Sequence, residues 1–296
     1  MAKVVMKNTN KIAKAKRFVS HTMLHLVLGA VAIILLFPFL YMIFASFRSQ
    51  SEMREFANVF YLFPKEFTFW GYEELFSFNP NQFSFIRGLL NTLIVEASYL
   101  FVGLFLDVII AYGFAKVQFK GRDTVLICCL IGPPFIVTLM PQYAMFSALG
   151  LVGTFWPLVI PHFFGTMGVV FYLERYMKSL PNEIFEAAKV DGLGHFGRIF
   201  KIAFPLSMPA IVVQSVFTFL GIWNDLLAPE MYLTRVQDKT LQVMLMSLTN
   251  AVQAGRASDQ PIIMAAATLS SLPILILYLS CQHLFVNSMA AAAVKG

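Results

Sequence analysis

The sequence predicts an all-α membrane protein with six transmembrane helices, and three observations carry that expectation. Only 13% of the 296 residues are charged, 58% are hydrophobic, and the mean hydropathy is +0.71. A soluble domain carries about a quarter charged residues, so this chain has apolar surface that only lipid can cover. The charges fall between long uncharged runs, each close to the ~20 residues that a membrane span needs. The basic residues are also unequally shared between the two sides: fifteen Lys and Arg fall with the two termini and seven on the opposite side. That asymmetry puts both termini in the cytoplasm. A formal net charge of +6 raises the question of nucleic acid. The basic residues flank apolar runs instead of forming a continuous patch, so no nucleic-acid partner is expected.

Residues 1–20 form a basic cytoplasmic tail holding Lys3, Lys7, Lys11, Lys14, Lys16 and Arg17. Residues 21–47 form the first span, softened at Pro38. Its apolar run is too long for a cleaved signal and no small-residue cleavage site closes it, so it is retained. Residues 48–86, polar and aromatic, with Pro64 and Pro80, form an extracytoplasmic loop. A five-helix core follows over 87–286. Its spans are about 88–115, 125–148, 155–173, 210–228 and 261–286, with a cytoplasmic loop at 174–209 and an extracytoplasmic loop at 229–260. The uncharged stretch 124–173 is too long for one span and divides near Gly150–Thr154. Pro133, Pro134, Pro141, Pro157 and Pro161 imply kinked helices whose freed carbonyls need internal partners. Residues 287–296 close the chain as a cytoplasmic tail. Cys128, Cys129 and Cys281 sit in apolar runs with neither disulfide nor metal-ligand spacing, so no metal is expected.

Polar residues inside spans are expensive and mark pathways or packing faces. Glu96 and Asp107 lie eleven residues apart, about three turns, on one face of the second span together with Gly103. They could line a pathway or gate, or serve interhelical packing. Trp223, Asn224 and Asp225 end the fifth span. An aromatic face beside an amide and a carboxylate suits a sugar, and a terminal Trp also suits an interfacial belt. His162, after Pro161, reads as a packed histidine. Ala267 and Ser271 have the small-xxx-small spacing of a helix-packing face.

The longest charged stretch of the second half is Ser179 to Pro209. Ser179 is placed to cap a helix beginning near Pro181, with Glu183 in its first turn. Ile184, Phe185 and Ala188 form an apolar strip, and Gly192 is placed to stop the helix. A second short helix from His195 shows Phe196, Ile199 and Ala203 on one side, and Pro205 and Pro209 end it. Such short helices are marginal alone in water. The strip is read either as resting on lipid headgroups or as laid into a groove on another protein.

Glu186-Ala187-Ala188-Lys189-Val190-Asp191-Gly192, followed by Ile202 and Pro205, resembles the EAA motif of ABC-importer membrane subunits. The chain departs from that motif mildly: Phe204 stands where Leu is usual, and Gly194 where Ser or Thr is common. Asn91-Thr92-Leu93 and Ala111 to Lys116 resemble sugar-importer permeases. The ending Ala293-Val294-Lys295-Gly296 resembles that of the smaller permease subunit of maltose importers. The resemblance runs from about Tyr72 to the C-terminus, and the first seventy residues match only in layout.

The resemblance implies a permease subunit of an ATP-driven, binding-protein-dependent carbohydrate importer in the bacterial inner membrane, working by alternating access. It implies four partners: a second homologous permease, a homodimeric ABC ATPase, an extracytoplasmic solute-binding protein and the carbohydrate substrate, most simply an oligosaccharide. It further implies that Glu183, Ile184, Phe185, Glu186, Ala187, Ala188, Asp191, Gly192, Phe196, Ile202 and Pro205 dock to the ATPase. Val294, Lys295 and Gly296 would reach between its two copies, and Trp223, Asn224, Asp225 and Glu96 would lie along the substrate pathway. The chain has no G-x-x-x-x-G-K phosphate loop, so it holds no cofactor of its own; ATP and Mg²⁺ would be bound by the partner. Two other classes remain in view. An ion-coupled secondary carrier would use Glu96 and Asp107, and an intramembrane enzyme would need a motif such as H-E-x-x-H or G-x-S-x-G, which the sequence lacks.

Overall fold

The computed structural model describes residues 2–55, 61–77, 84–135, 139–253 and 260–294. Side chains are described between Thr22 and Gln282 within those stretches, apart from 54, 130–135 and 253. The described residues are helical and contain no strand. In order, the helices are α1 (Ala2–Ala45), α2 (Gln50–Glu55), α3 (Trp70–Ser77), α4 (Phe85–Ser98), α5 (Leu104–Lys116), α6 (Arg122–Phe135), α7 (Leu139–Ala148) and α8 (Trp156–Val159). They continue as α9 (Met167–Ser179), α10 (Asn182–Val190), α11 (His195–Arg198), α12 (Phe204–Trp223), α13 (Leu227–Tyr232), α14 (Leu241–Gln253) and α15 (Gln260–Val294). Five continuous segments are long and apolar enough to cross a membrane: Thr22–Ala45, Phe85–Lys116, Trp156–Ser179, His195–Trp223 and Gln260–Gln282. The remaining expected span, 125–148, is occupied by α6 and α7, which flank residues 136–138 outside the described set.

Four expectations need correction. Pro38 does not break α1, which runs through it, as membrane helices tolerate proline. The tail does not separate from the last span, because α15 continues to Val294. Pro205 and Pro209 do not end the helix that starts at His195. That helix passes through a π turn, Ile199–Ala203, directly into α12. The Phe204 N–H bonds the Ile199 carbonyl five residues back, and Pro205 then falls in the first turn of α12, where its missing N–H leaves no donor unpaired. The 229–260 segment is not merely an exposed polar loop. Leu241, Met244, Leu248 and Val252 recur at helical spacing, and α14 buries them.

The chain forms two compact units, 1–73 with 256–268, and 74–255 with 269–296. In the first unit, α1 exposes its side chains from Thr22 through Phe39 and ends in a small aromatic core. Phe47 packs against Phe67, Phe69 and Tyr72, and Phe44 against Phe63. Arg48 is buried there. Its guanidinium lies over the rings of Tyr41 and Tyr61 and donates to the Tyr61 carbonyl, which answers the cost of burying a charge.

The second unit is organised by α5 against α9. Val108, Ala111 and Tyr112 interlock with Val169, Val170, Leu173 and Met177. Between α4 and α5 the chain makes another π turn, Tyr99–Gly103. The segment containing α9 is itself broken. A 3₁₀ turn, Ile160–Phe164, leads to Gly165 at φ +90, which a side chain would strain, and α9 starts just beyond. The exposed N-terminus of α9 is met by Asp107, whose Oδ1 accepts the Thr166 N–H at 2.7 Å and whose Oδ2 accepts the Tyr99 hydroxyl at 2.8 Å. Asp107 is fully buried, so both bonds form away from solvent. Asn91 and Thr92 tie α4 to the chain entering α14. The Asn91 amide donates to the Gln237 and Lys239 carbonyls, and Thr92 Oγ1 accepts the Leu241 N–H.

Asp107→Ala removes an acceptor for two buried donors, at a cost of roughly 3 kcal/mol. It is expected to lower the melting temperature in detergent by roughly 5 °C, whereas Asp107→Asn, which keeps the Oδ1 acceptor, loses less than half of that. Thermal unfolding of the purified variants checks this.

Candidate functional site

Two regions gather the residues singled out by the sequence. The first is α10 and its flanks. α10 begins at Asn182. Ser179 is not its cap, because its hydroxyl donates back to the Tyr176 carbonyl and closes α9 instead. The entry is fixed from α5: Lys116 Nζ donates to the Leu180 carbonyl at 3.0 Å and to Asn182 Oδ1 at 2.8 Å, and lies 4.5 Å from the centre of the Phe185 ring. α10 ends in a Schellman motif. The Leu193 N–H bonds the Ala188 carbonyl and the Gly192 N–H bonds the Lys189 carbonyl, with Gly192 at φ +84. That left-handed φ is why the motif carries a glycine there.

The apolar strip of α10 divides into two faces. Phe185 (4% exposed) and Ala188 turn inward, with Phe185 against Tyr112 and Lys116. The expectation that these two fill a partner's groove is therefore corrected: their surface is already spent on this chain's own core. Glu183, Ile184 (42% exposed), Glu186, Ala187 and Asp191 face outward. Phe196 (71% exposed), on α11, joins that surface. Ile202 is half-buried and Pro205 exposed. Val294 is the last helical residue, and Lys295 and Gly296 lie outside the described residues.

At the other end of the membrane core lies a cavity of about 170 Å³. Its walls come from α4, α7, α8, the end of α12, α13 and the chain leading into α14. The polar contributors are Thr92, Gln142, His162, Asp225, Tyr232 and Thr240. The Tyr232 ring is stacked on Tyr143 and edge-on to Phe146. Burial pushes the Asp225 carboxyl above the usual carboxylate range, and the main-chain N–H groups of Ala228 and Leu227 pull it partly back. Burial also pushes the Tyr232 phenol up, keeping it a neutral donor.

Of the expected pathway residues, only Asp225 reaches this cavity. Trp223 is 1% exposed and stacked on Phe219 at 5.3 Å, so neither of its faces is offered to a sugar. The Asn224 amide donates to the Leu220 carbonyl at the close of α12. Glu96 is buried against the Trp223 main chain. Glu96 and Asp107 do not share surroundings: the π turn at Tyr99–Gly103 intervenes, and Asp107 is occupied by Tyr99 and Thr166. His162 lies edge-on to Tyr99 and also lines the cavity. Sequence reasoning gave no site role to Thr92, Gln142, Tyr232 and Thr240, which come from α4, α7, α13 and the chain entering α14 and share no local pattern.

Residues 103–291 match the family described as binding-protein-dependent transport system inner membrane component. The Bacillus subtilis (strain 168) protein LplC is 31% identical over 281 residues, spanning 92% of this chain and 93% of that protein. The arabinooligosaccharides transport system permease protein AraQ of Halalkalibacterium halodurans is 26% identical over 268 residues, spanning 90% of this chain and 93% of that one. Among solved structures, a bacterial ABC transporter involved in the import of the acidic polysaccharide alginate aligns with TM-score 0.78 at 20% identity, covering 90% of this chain and 96% of that one. That likeness gives the same fold. With the family match spanning most of the α5–α15 core and LplC aligned along nearly the whole chain, the chain belongs to the binding-protein-dependent transport system inner membrane components.

Proposed function

We propose that this chain is one of two related permease subunits in an ATP-driven importer of carbohydrate, most simply of oligosaccharide. The observation that carries the reading is the family match over 103–291, which contains the whole α9–α12 stretch. The carbohydrate class is supported by the names of relatives such as AraQ. The six-span layout with both termini in the cytoplasm rests on the basic-residue asymmetry, with α6 and α7 together making the third span. In that orientation α10 faces the cytoplasm and the 170 Å³ cavity faces outward.

The chain's sequence lacks a phosphate-binding loop, and in this reading ATP and Mg²⁺ are bound by a separate homodimeric ATPase, the partner that the resemblance to ABC-importer membrane subunits implies. The outward face of α10 with Phe196 is the surface offered to that ATPase. It combines exposed apolar anchors with Glu183, Glu186 and Asp191, a composition suited to a groove on a protein. Movement imposed there passes directly into the membrane. The inward residue Phe185 belongs to one apolar cluster with α5 and α9, and α11 continues unbroken into α12. α13, α14 and their connections are the surface open to a loaded solute-binding protein, and the assignment of Val294, Lys295 and Gly296 to the ATPase rests on the sequence resemblance alone. The ion-coupled alternative loses its second carboxylate, because Asp107 is taken up as the cap of α9.

Two substitutions separate the two faces of α10. Ile184→Asp, on the exposed face, is expected to leave the protein folded and inserted while lowering binding-protein-stimulated ATP hydrolysis of the assembled importer by about tenfold, equivalent to about 1.4 kcal/mol of lost contact. Phe185→Ala, on the inward face, is expected to cost about 3 kcal/mol of the chain's own stability. It should show as a lowered melting temperature before any partner is added. Glu186→Lys tests the same docking surface. Loss of co-purification with the ATPase, with insertion intact, is the expected result, and wild-type recovery of the complex would sink the docking assignment.

A further inference from the structure

The outward cavity contains polar groups that the fold itself leaves unused. Tyr232 is 1% exposed and Thr240 5%, yet neither the Tyr232 hydroxyl nor Thr240 Oγ1 has a hydrogen-bond partner among the described residues. Both residues line the cavity. A buried hydroxyl without a partner costs on the order of 1–3 kcal/mol, and such groups are otherwise paired in native proteins. Two in one small cavity therefore point to something that fills it and carries several hydroxyls or lone pairs. The Tyr232 ring is clamped between Tyr143 and Phe146, so its hydroxyl is held in place without its own bond.

The rest of the lining narrows the chemistry. Gln142 supplies both a donor and an acceptor, and Asp225 supplies an acceptor beyond the one given to the Ala228 N–H. Pro157, Leu158, Pro161 and Ile222 give apolar surface against which the C–H face of a sugar ring can lie. No Lys or Arg is among the described lining residues. Lys239, next to Thr240 in sequence, is already paired with Glu230 at 2.8 Å. An anionic sugar would meet the Asp225 carboxyl with no cation to bind its own, whereas an uncharged ring meets donors and acceptors alone. A volume of about 170 Å³ is on the scale of one sugar ring.

We propose that this cavity is a subsite for a single uncharged sugar ring of the transported carbohydrate, held by Tyr232, Thr240, Gln142 and Asp225. The proposal rests on the importer reading above and adds to it the charge class of the substrate and a place on this chain for one of its rings.

The test uses the importer purified with its partner subunits but without the binding protein. Equilibrium dialysis is run against two probe mixtures: uncharged oligosaccharides from hydrolysed arabinan, galactan and starch, and uronate oligomers from hydrolysed polygalacturonate. Retained sugars are identified by mass. The expected result is retention of an uncharged oligosaccharide and none of the uronates. Tyr232→Phe and Thr240→Val should each weaken retention on the order of fivefold, with the melting temperature of each ligand-free variant at or above the wild-type value. Equal retention by the double variant, a cavity that takes only water, or preferential retention of uronates overturns the proposal. Uptake by vesicles carrying the importer and its binding protein distinguishes the two levels of failure. If no carbohydrate of either mixture is taken up, the importer reading fails and the subsite with it. If uptake occurs but Tyr232 and Thr240 do not affect retention, only the subsite fails.

Discussion

A helix that breaks inside a membrane exposes main-chain donors where no water can reach them, and the second unit of this protein is arranged around one such break. Gly165 turns the chain at φ +90, α9 begins afresh, and Asp107 supplies the acceptor that the new N-terminus lacks. In lipid the alternative is an unpaired N–H costing several kcal/mol. The carboxylate also sits at the positive end of the α9 dipole and is steadied by Tyr99 from within the π turn. One buried group thus sets where α9 starts, how it lies on α5, and where it delivers the chain into α10.

That arrangement explains how two ends of the molecule can act as one device. At one end, Phe185 locks α10 into the α5–α9 cluster, leaving Ile184, Glu186 and Phe196 outward. At the other, Val95, Phe146, Leu158, Tyr232 and Leu233 form a separate apolar cluster beside the cavity. Between them lie the Tyr99–Gly103 π turn and the Gly165 break, the places where helical hydrogen bonding is least regular. Rigid clusters joined through irregular backbone are the elements from which rocking motions are built.

The large features of this fold were legible in the sequence because membrane spans are written in composition. Charge-free runs located the apolar parts of the five long helices, although two of these, Trp156–Ser179 and His195–Trp223, run on into the charged 174–209 stretch that reads as loop, and the apolar strip with Gly192 located α10 and its glycine stop. What was not legible depends on three-dimensional partners. Nothing local in the sequence shows that Phe185 turns toward Tyr112 while its neighbour Ile184 turns away. The π turn at Ile199–Ala203 lets a helix pass Pro205, which the usual proline rule reads as a stop. α14 was hidden because its polar face made the segment read as loop. The period of Leu241, Met244, Leu248 and Val252 was the signal that would have found it. Trp223 could be read from composition as a sugar platform or as an interfacial anchor, and its burial and stacking on Phe219 removed the first reading. The cavity was beyond reach, since Thr92, Gln142, Tyr232 and Thr240 meet only when the chain is folded.

The central claim is that this chain moves carbohydrate with energy delivered through α10 by an ATPase it does not contain. The most direct measurement is carbohydrate uptake into sealed vesicles holding the complete importer, with ATP supplied on the α10 side and ion gradients collapsed by an uncoupler. The account predicts that uptake follows ATP and survives the uncoupler. Uptake that persists without ATP and is abolished by the uncoupler would contradict it.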